Sequence, residues 1–183
     1  RKAIELNPNY SIAHYNLGTI LKDLGKLEDA ELSTRKAIEL NPNYSIAHYN
    51  LGIILKDLGK LEDAELSTRK AIEINPHYVE AHSNLGNVLK GLGKLQDAEL
   101  STRKAIELNP NYSIAHSNLG NVLKGLGKLQ DAEKSYRKAI ELNPNYAAAY
   151  YSLSLIQYSD DNKLWQDQIL SLIHISEPTR QSL

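Results

Sequence analysis

The sequence has no cysteine and no methionine, and its 183 residues carry a formal net charge of only −1. Without cysteine, the chain has no disulfide bonds and no thiolate metal sites. Acidic and basic residues are interleaved along it, so no net basic field attracts phosphates, which argues against a nucleic-acid partner. No apolar run approaches the roughly 18 residues that a membrane-spanning helix needs, and no leader-like segment is visible. We therefore expect a cytoplasmic protein that has neither a membrane nor a nucleic-acid partner.

What the sequence does have is a 34-residue period. The motif Asn-Pro-x-Tyr returns at this interval, at residues 7–10, 41–44, 75–78, 109–112 and 143–146. A fixed period of this length is typical of helical hairpins that are each too small to bury their own apolar face and therefore stack. Repeats 1 to 4 comprise residues 11–44, 45–78, 79–112 and 113–146. Stacked arrays present an extended surface, so the period favours a binding protein over an enzyme.

Both ends of the chain depart from the full repeat. Residues 1–10 match the end of a truncated repeat, since residues 1–6 copy residues 35–40, and we expect a fragment that starts within a repeat. Residues 147–175 begin like a first helix and then lose the pattern. We expect a degenerate repeat or capping helices there, with an amphipathic helix over residues 163–175. Residues 176–183 are expected to be a disordered or artefactual tail, because residues 171–180 resemble translated sequencing-adapter read-through.

Each repeat has the pattern of two helices. In repeat 1, apolar residues at helical spacing predict a first helix over residues 11–24. Gly25 follows as a C-terminal cap, because glycine accepts a positive φ without steric cost. A second helix is predicted over residues 28–40, and Pro42 ends it, since the residue before a proline disfavours helical geometry. Small residues recur where the two helices would touch, at Ala13, Gly18, Ala30 and Ala37 and their copies.

These small residues, together with Leu17, Gly25 and Pro42, resemble the tetratricopeptide repeat over residues 1–146. The resemblance implies an all-α fold: a right-handed α-solenoid, or superhelix, of antiparallel helix pairs whose first helices line a concave, ligand-binding groove. Two positions depart from the family pattern, and both lead us to expect a looser core. Where the family often has tryptophan or tyrosine in the first helix, this chain has His14, His48, His82 and His116. Where the family favours a large aromatic residue in the second helix, it has Thr34, Thr68 and Thr102, and only repeat 4 has Tyr136.

The resemblance also indicates which residues would line the groove. A ladder of asparagines, similar to the one that holds polypeptide in the superhelix of O-linked N-acetylglucosamine transferases, would comprise Asn16, Asn50, Asn84 and Asn118. An amide both donates and accepts hydrogen bonds, so such a row would bind the main chain of an extended peptide whatever its sequence. Asn87 and Asn121 lie about one turn further on the same face. The alternative interpretation is that all these amides are merely polar residues that face solvent.

Lysines and tyrosines are further candidates for the same groove. A row of lysines would attract an acidic peptide; Lys90 and Lys124 are each followed by glycine, whereas Asp23 and Asp57 partly cancel the charge of the lysines before them. Tyr15 and Tyr49 would provide aromatic contacts. The competing interpretation of the lysines is a solvated helix end that the helix dipole favours. Packing is the competing interpretation of the tyrosines.

No cluster that carries chemistry stands out. The histidines belong to different repeats, about 10 Å apart, whereas zinc needs its nitrogen ligands about 2 Å from one centre. They therefore predict packing and no metal site. No carboxylate pair or activated nucleophile is found, and we expect neither catalysis nor a cofactor.

The predicted function is a protein–protein interaction scaffold that binds another protein or an extended peptide. One alternative is the substrate-recruiting arm of a larger transferase, of glycosyltransferase or sulfotransferase type, whose catalytic domain lies outside this segment. Another is a structural array whose copies stack end to end, which we do not predict.

Overall fold

The structure, a computed structural model, describes residues 2–156. Within these residues the chain forms α-helices and no strand, which confirms the predicted all-α solenoid of paired helices. The helices are α1 (Lys2–Leu6), α2 (Ser11–Asp23), α3 (Leu27–Leu40), α4 (Ser45–Asp57), α5 (Leu61–Ile74), α6 (Val79–Gly91), α7 (Leu95–Leu108), α8 (Ser113–Gly125), α9 (Leu129–Leu142) and α10 (Ala147–Ser154). The even-numbered helices are the first helices of the repeats.

The turn between the two helices of a repeat depends on one glycine. Gly25 has a φ of 72°, a left-handed conformation that glycine adopts without strain. Its N–H donates to the carbonyl oxygen of Lys22 at 2.9 Å, and the Lys26 N–H donates to that of Leu21 at 2.9 Å. These two bonds form a Schellman motif and satisfy carbonyls at the end of α2. The same conformation recurs at Gly59, Gly93 and Gly127, so the predicted cap is present in every repeat.

The packing of the helices sets the curvature of the array. Each first helix packs against the second helix of its own repeat and against that of the preceding repeat. Consecutive first helices also contact one another, as α4 contacts both α2 and α6, whereas the second helices α3, α5 and α7 make no mutual contact within residues 2–156. The first helices therefore lie on the inner side of the curve and the second helices on the outer side.

The two helices of a repeat approach closely where the first helix has glycine. A Cβ atom added to Gly86 would lie 3.2 Å from the Ala98 carbonyl oxygen and well inside 3.0 Å of Thr102 Oγ1. Thr102 is fully buried, and its hydroxyl donates to the same carbonyl oxygen at 2.7 Å. In repeat 4 the ring of Tyr136 fills the equivalent space over Gly120. A threonine in place of the large aromatic residue thus occupies the space over the glycine in repeats 1 to 3.

A carboxylate in each second helix links neighbouring repeats. Glu65 in α5 accepts a hydrogen bond from Arg69 one turn later at 2.9 Å, and another from Lys94 of the next repeat at 2.7 Å. The Lys94 hydrogen bond is the main reason that the pKa of Glu65 lies below its ordinary value of 4.5. Glu31 and Glu99 make the equivalent pair of contacts with their own neighbours.

Part of the sequence prediction lies outside the described residues. The amphipathic helix predicted over residues 163–175 and the tail predicted over residues 176–183 both fall there. None of the helices within residues 2–156 is long and apolar enough to cross a membrane.

Candidate functional site

The inner side of the array presents one face of the first helices. Residues at the fifth, ninth and twelfth positions of a repeat are four and three apart, so they share that face. We call these residues the inner face: Tyr15, Thr19 and Lys22; Tyr49, Ile53 and Lys56; Ser83, Asn87 and Lys90; and Ser117, Asn121 and Lys124. Because first helices of consecutive repeats contact one another, the inner face is continuous along the array.

The asparagines of the predicted ladder lie deeper than expected. Only Asn16 is exposed, whereas Asn50, Asn84 and Asn118 retain 5–8% of their surface. Each buried amide donates to a hydroxyl of the preceding repeat: Asn50 Nδ2 to Thr19 Oγ1 at 3.4 Å, Asn84 Nδ2 to Thr68 Oγ1 at 3.3 Å and Asn118 Nδ2 to Ser83 Oγ at 2.9 Å. Asn16 has only the short helix α1 before it, which explains its exposure.

The position of these amides changes what the ladder can offer a ligand. One N–H of each buried amide is engaged between repeats, while its carbonyl oxygen has no hydrogen-bond partner among residues 2–156. The amides therefore lie at the floor of the inner face, between repeats, and do not project from it. Their binding to a peptide main chain stays a prediction, and the structure adds a packing role.

Asn87 and Asn121 lie on the inner face itself, and both are half-buried. The Asn87 side chain has no hydrogen-bond partner in the part of the chain that the structure describes. The Asn121 Oδ1 atom accepts a hydrogen bond from the Tyr136 hydroxyl at 3.0 Å. Burial raises the pKa of Tyr136 to about 12. Asn87 is thus free to bind a ligand, whereas Asn121 already satisfies a buried group.

The four lysines of the inner face have different neighbours. Lys22 is 3.6 Å from the Asp23 carboxylate, and Lys56 is 3.2 Å from that of Asp57. Lys90 and Lys124 precede glycines, and neither forms an ion pair within residues 2–156. The charge of the inner-face lysine is therefore neutralised by the neighbouring aspartate in repeats 1 and 2, and it is not neutralised in repeats 3 and 4.

The two tyrosines of the inner face each pack against the tyrosine that immediately precedes the next first helix. The ring centroids of Tyr15 and Tyr44 are 5.3 Å apart, and those of Tyr49 and Tyr78 are 4.8 Å apart. Both separations are typical of tilted aromatic pairs. Burial, with a smaller contribution from nearby acidic groups, raises the pKa of Tyr49 to about 12. Sequence reasoning missed Tyr44 and Tyr78 as partners, although the repeated Asn-Pro-x-Tyr motif marks them.

The four periodic histidines have a local structural role. Each one places Nε2 at 2.8–2.9 Å from the carbonyl oxygen of the proline six residues before it, in the pairs His14–Pro8, His48–Pro42, His82–Pro76 and His116–Pro110. This bond ties the first turn of the helix to the loop that precedes it. Among residues 2–156, no group of three or more His, Cys, Asp or Glu side chains is arranged to hold a metal ion.

Comparisons with known proteins agree with this architecture. The tetratricopeptide repeat family model matches residues 11–44, 45–78, 79–112 and 113–146. A crystal structure of MamA is 26% identical, with a TM-score of 0.68 over 86% of this chain and 90% of that one. YrrB, described as a tetratricopeptide repeat protein with an unusual peptide-binding site, is 27% identical, with a TM-score of 0.69 over 96% of this chain and 91% of that one.

A third solved structure contains a bound peptide. The first tetratricopeptide domain of Spaghetti (RPAP3), bound to the HSP90 peptide SRMEEVD, is 28% identical and has a TM-score of 0.59. The match covers 61% of this chain and 89% of that one. The comparison with curated protein sequences gives no match.

Proposed function

The chain belongs to the tetratricopeptide repeat family, and we propose that its inner face binds another polypeptide in extended form. One observation carries the proposal: the inner face is continuous, and it keeps polar groups that packing does not use. Asn87 and Lys90 of the inner face have no partner among residues 2–156. Asn16, the counterpart in repeat 1 of the amides at the floor of the inner face, is exposed because only α1 precedes it. Two structural relatives support it, since YrrB has a peptide-binding site and the RPAP3 domain is bound to a peptide.

The repeat spacing suits an extended ligand. Packed helices lie about 8–10 Å apart, and an extended chain advances about 3.3 Å per residue. Roughly three ligand residues would therefore pass each repeat, and about twelve would span the four repeats. Free amides such as those of Asn16 and Asn87 bind main-chain groups, which every sequence carries. The side chains between them would set the preference for particular ligands.

A stand-alone scaffold and the recruiting arm of a larger transferase would use this groove in the same way. Both begin with capture of a polypeptide by the inner face. One experiment therefore tests the step that they share.

The test starts with selection of binding peptides from a random 12-residue display library against the whole chain. A selected peptide, labelled with fluorescein, is then titrated by fluorescence anisotropy against the double variant Asn16→Ala/Asn87→Ala. The matched control is Asn43→Ala/Asn111→Ala, which removes two exposed loop amides. Loss of two hydrogen bonds, each about 1 kcal/mol, should weaken binding by about tenfold or more.

The control pair should bind like the unmodified chain. The proposal is wrong if the library yields no binding peptide. It is also wrong if the selected peptides bind the Asn16→Ala/Asn87→Ala variant and the Asn43→Ala/Asn111→Ala variant with equal affinity.

A further inference from the structure

The four repeats are near copies, so their few differences are informative. Five positions separate repeats 1 and 2 from repeats 3 and 4. In the order of repeats 1, 2, 3 and 4, the residues at these positions are Tyr15, Tyr49, Ser83 and Ser117; Thr19, Ile53, Asn87 and Asn121; Ile20, Ile54, Val88 and Val122; Asp23, Asp57, Gly91 and Gly125; and Glu28, Glu62, Gln96 and Gln130. The tyrosine, Thr/Ile and aspartate positions are four residues apart and lie along one side of the first helix. The repeats have thus diverged mainly along the inner face and the turn beside it.

The divergence changes the sign of the local charge. The segment from the inner-face lysine to the start of the second helix carries a formal charge of −1 in repeats 1 and 2, at residues 22–29 and 56–63. The same segment carries +1 in repeats 3 and 4, at residues 90–97 and 124–131. Repeats 1 and 2 therefore present an acidic edge. At the equivalent edge of repeats 3 and 4, Lys94 and Lys128 pair with Glu65 and Glu99 of the preceding repeats, so Lys90 and Lys124 are the cations of residues 90–97 and 124–131 that have no ion-pair partner within residues 2–156.

The apolar character of the inner face changes in the opposite sense. Repeats 1 and 2 place Tyr15 and Tyr49 there. The exposed isoleucine beside the tyrosines does not distinguish the halves, since Ile12, Ile46 and, in repeat 4, Ile114 are 43%, 39% and 41% exposed. In repeats 3 and 4 the serines that replace the tyrosines are 2% exposed and offer no apolar surface. The aromatic side chains of the inner face are therefore confined to the first half.

One acidic group of repeat 3, Glu80, lies on the same helix as Lys90. Glu80 lies in the first turn of α6. Burial is the main reason that the pKa of Tyr49 and that of Tyr78 are raised, and the negative charge of Glu80 adds to the effect. Lys90 is ten residues further along the same helix, which corresponds to about 15 Å of helix. Glu80 is therefore at the opposite end of α6 from Lys90 and does not neutralise its charge.

From these observations we propose that the inner face is a two-part site that selects one kind of polypeptide. The ligand carries aromatic or aliphatic side chains over repeats 1 and 2 and acidic side chains over repeats 3 and 4. This inference rests on the proposed function and specifies its ligand. Lys90 and Lys124 are one repeat apart, so the acidic residues that they bind are about three positions apart in an extended chain.

The test uses fluorescein-labelled synthetic 12-residue peptides at low and high salt. One is rich in aspartate, a second has lysine in place of each aspartate, and a third is rich in tyrosine and leucine. Two more join an aspartate block to a tyrosine-leucine block, one in each order. The key variant is Lys90→Ala/Lys124→Ala, and its matched control is Lys104→Ala/Lys138→Ala, which removes two partly exposed lysines from the second helices of the same two repeats, outside the inner face.

We expect the key variant to lose at least tenfold in affinity for the aspartate peptide, and the control pair to change it less than twofold. A gain-of-function variant, Asp23→Gly/Asp57→Gly, copies the sequence of repeats 3 and 4. It should bind the aspartate peptide at least threefold more tightly, a result that misfolding cannot produce. Tyr15→Ser/Tyr49→Ser should weaken only the peptides that contain tyrosine and leucine, and one mixed peptide should bind better than its reversed order.

The inference is overturned if both lysine pairs contribute equally, or if the aspartate and lysine peptides bind alike. In that case the proposed function still stands when binding remains sensitive to Asn16→Ala/Asn87→Ala. If no peptide binds at all, both proposals fail together. Sedimentation velocity gives a further outcome: self-association that Asp23→Gly/Asp57→Gly abolishes would assign the acidic edge, Lys90 and Lys124 to contacts between copies, and would also overturn the inference.

Discussion

The contact between Gly86 and Thr102 makes the stability of repeat 3 sensitive to a single methyl group. In the substitution Gly86→Ala the new Cβ meets Thr102 Oγ1 at less than 3.0 Å and the Ala98 carbonyl oxygen at 3.2 Å. The threonine has little freedom to move, since its β-branched side chain is fully buried and its hydroxyl is bonded to that same oxygen. Either the hydroxyl loses its bond or helices α6 and α7 separate.

The expected magnitude is the balance of two effects. Overpacking in a core costs about 1–3 kcal/mol, and the contacts of Gly86 with a buried side chain and a carbonyl oxygen place this site near the upper limit. Alanine is about 1 kcal/mol better than glycine within a helix. The net loss in free energy of unfolding is therefore about 2 kcal/mol.

Urea unfolding followed by far-ultraviolet circular dichroism measures this loss. A double-mutant cycle combines Gly86→Ala with Thr102→Ala, which removes the hydroxyl from the space that the new methyl group needs. The double variant should recover at least 1 kcal/mol relative to the sum of the single variants. Gly91→Ala is a control in the same helix, because its added Cβ would meet only the flexible end of Leu61, at 3.1 Å. Equal stability of Gly86→Ala and Gly91→Ala, or strict additivity in the cycle, would refute this account of the packing.

Three further predictions concern a turn glycine, the titration of the partly buried Glu65 and the titration of the buried Tyr136. Gly59→Ala, at a φ of 76°, should cost about 1–2 kcal/mol in urea unfolding, since a side chain disfavours the left-handed conformation. The pKa of Glu65 is lowered on folding, so the stabilisation from its carboxylate is present above pH 4.5 and is lost as the pH falls. Glu65→Gln should therefore make the free energy of unfolding less dependent on pH in acid, and it should do so more than the exposed control Glu73→Gln. The pKa of Tyr136 is raised to about 12, so its contribution is complete below pH 10 and is lost towards pH 12; Tyr136→Phe should reduce this alkaline loss of stability.

The helices could be predicted from sequence because their signals are local. The 34-residue period, the glycine at each turn and the proline after each second helix fix the elements to within about two residues. In repeat 1, for example, the predicted first helix over residues 11–24 is observed as Ser11–Asp23. The caps depend on a few neighbouring residues, so one copy of the repeat is enough to find them.

The environment of many side chains depends on the adjacent repeat, and spacing within one helix does not reveal it. Asn84 was predicted to line a groove, yet a hydroxyl of the preceding repeat covers part of it. The partner of Glu65 in the next repeat, Lys94, is 29 residues away. Side-chain contacts of this kind require the angle between repeats, which follows from the packing of all the helices together.

The central claim, that a polypeptide binds along the inner face, can be tested by protection of single cysteines. Because the chain has no cysteine of its own, Asn87→Cys places one thiol on the inner face, and Leu100→Cys places one on the outer side, where Leu100 is 69% exposed. The measurement is the rate of thiol alkylation with and without a saturating selected peptide. We expect the bound peptide to slow alkylation of Asn87→Cys at least tenfold and to leave the rate for Leu100→Cys unchanged. Protection of Leu100→Cys with Asn87→Cys unaffected would contradict the claim.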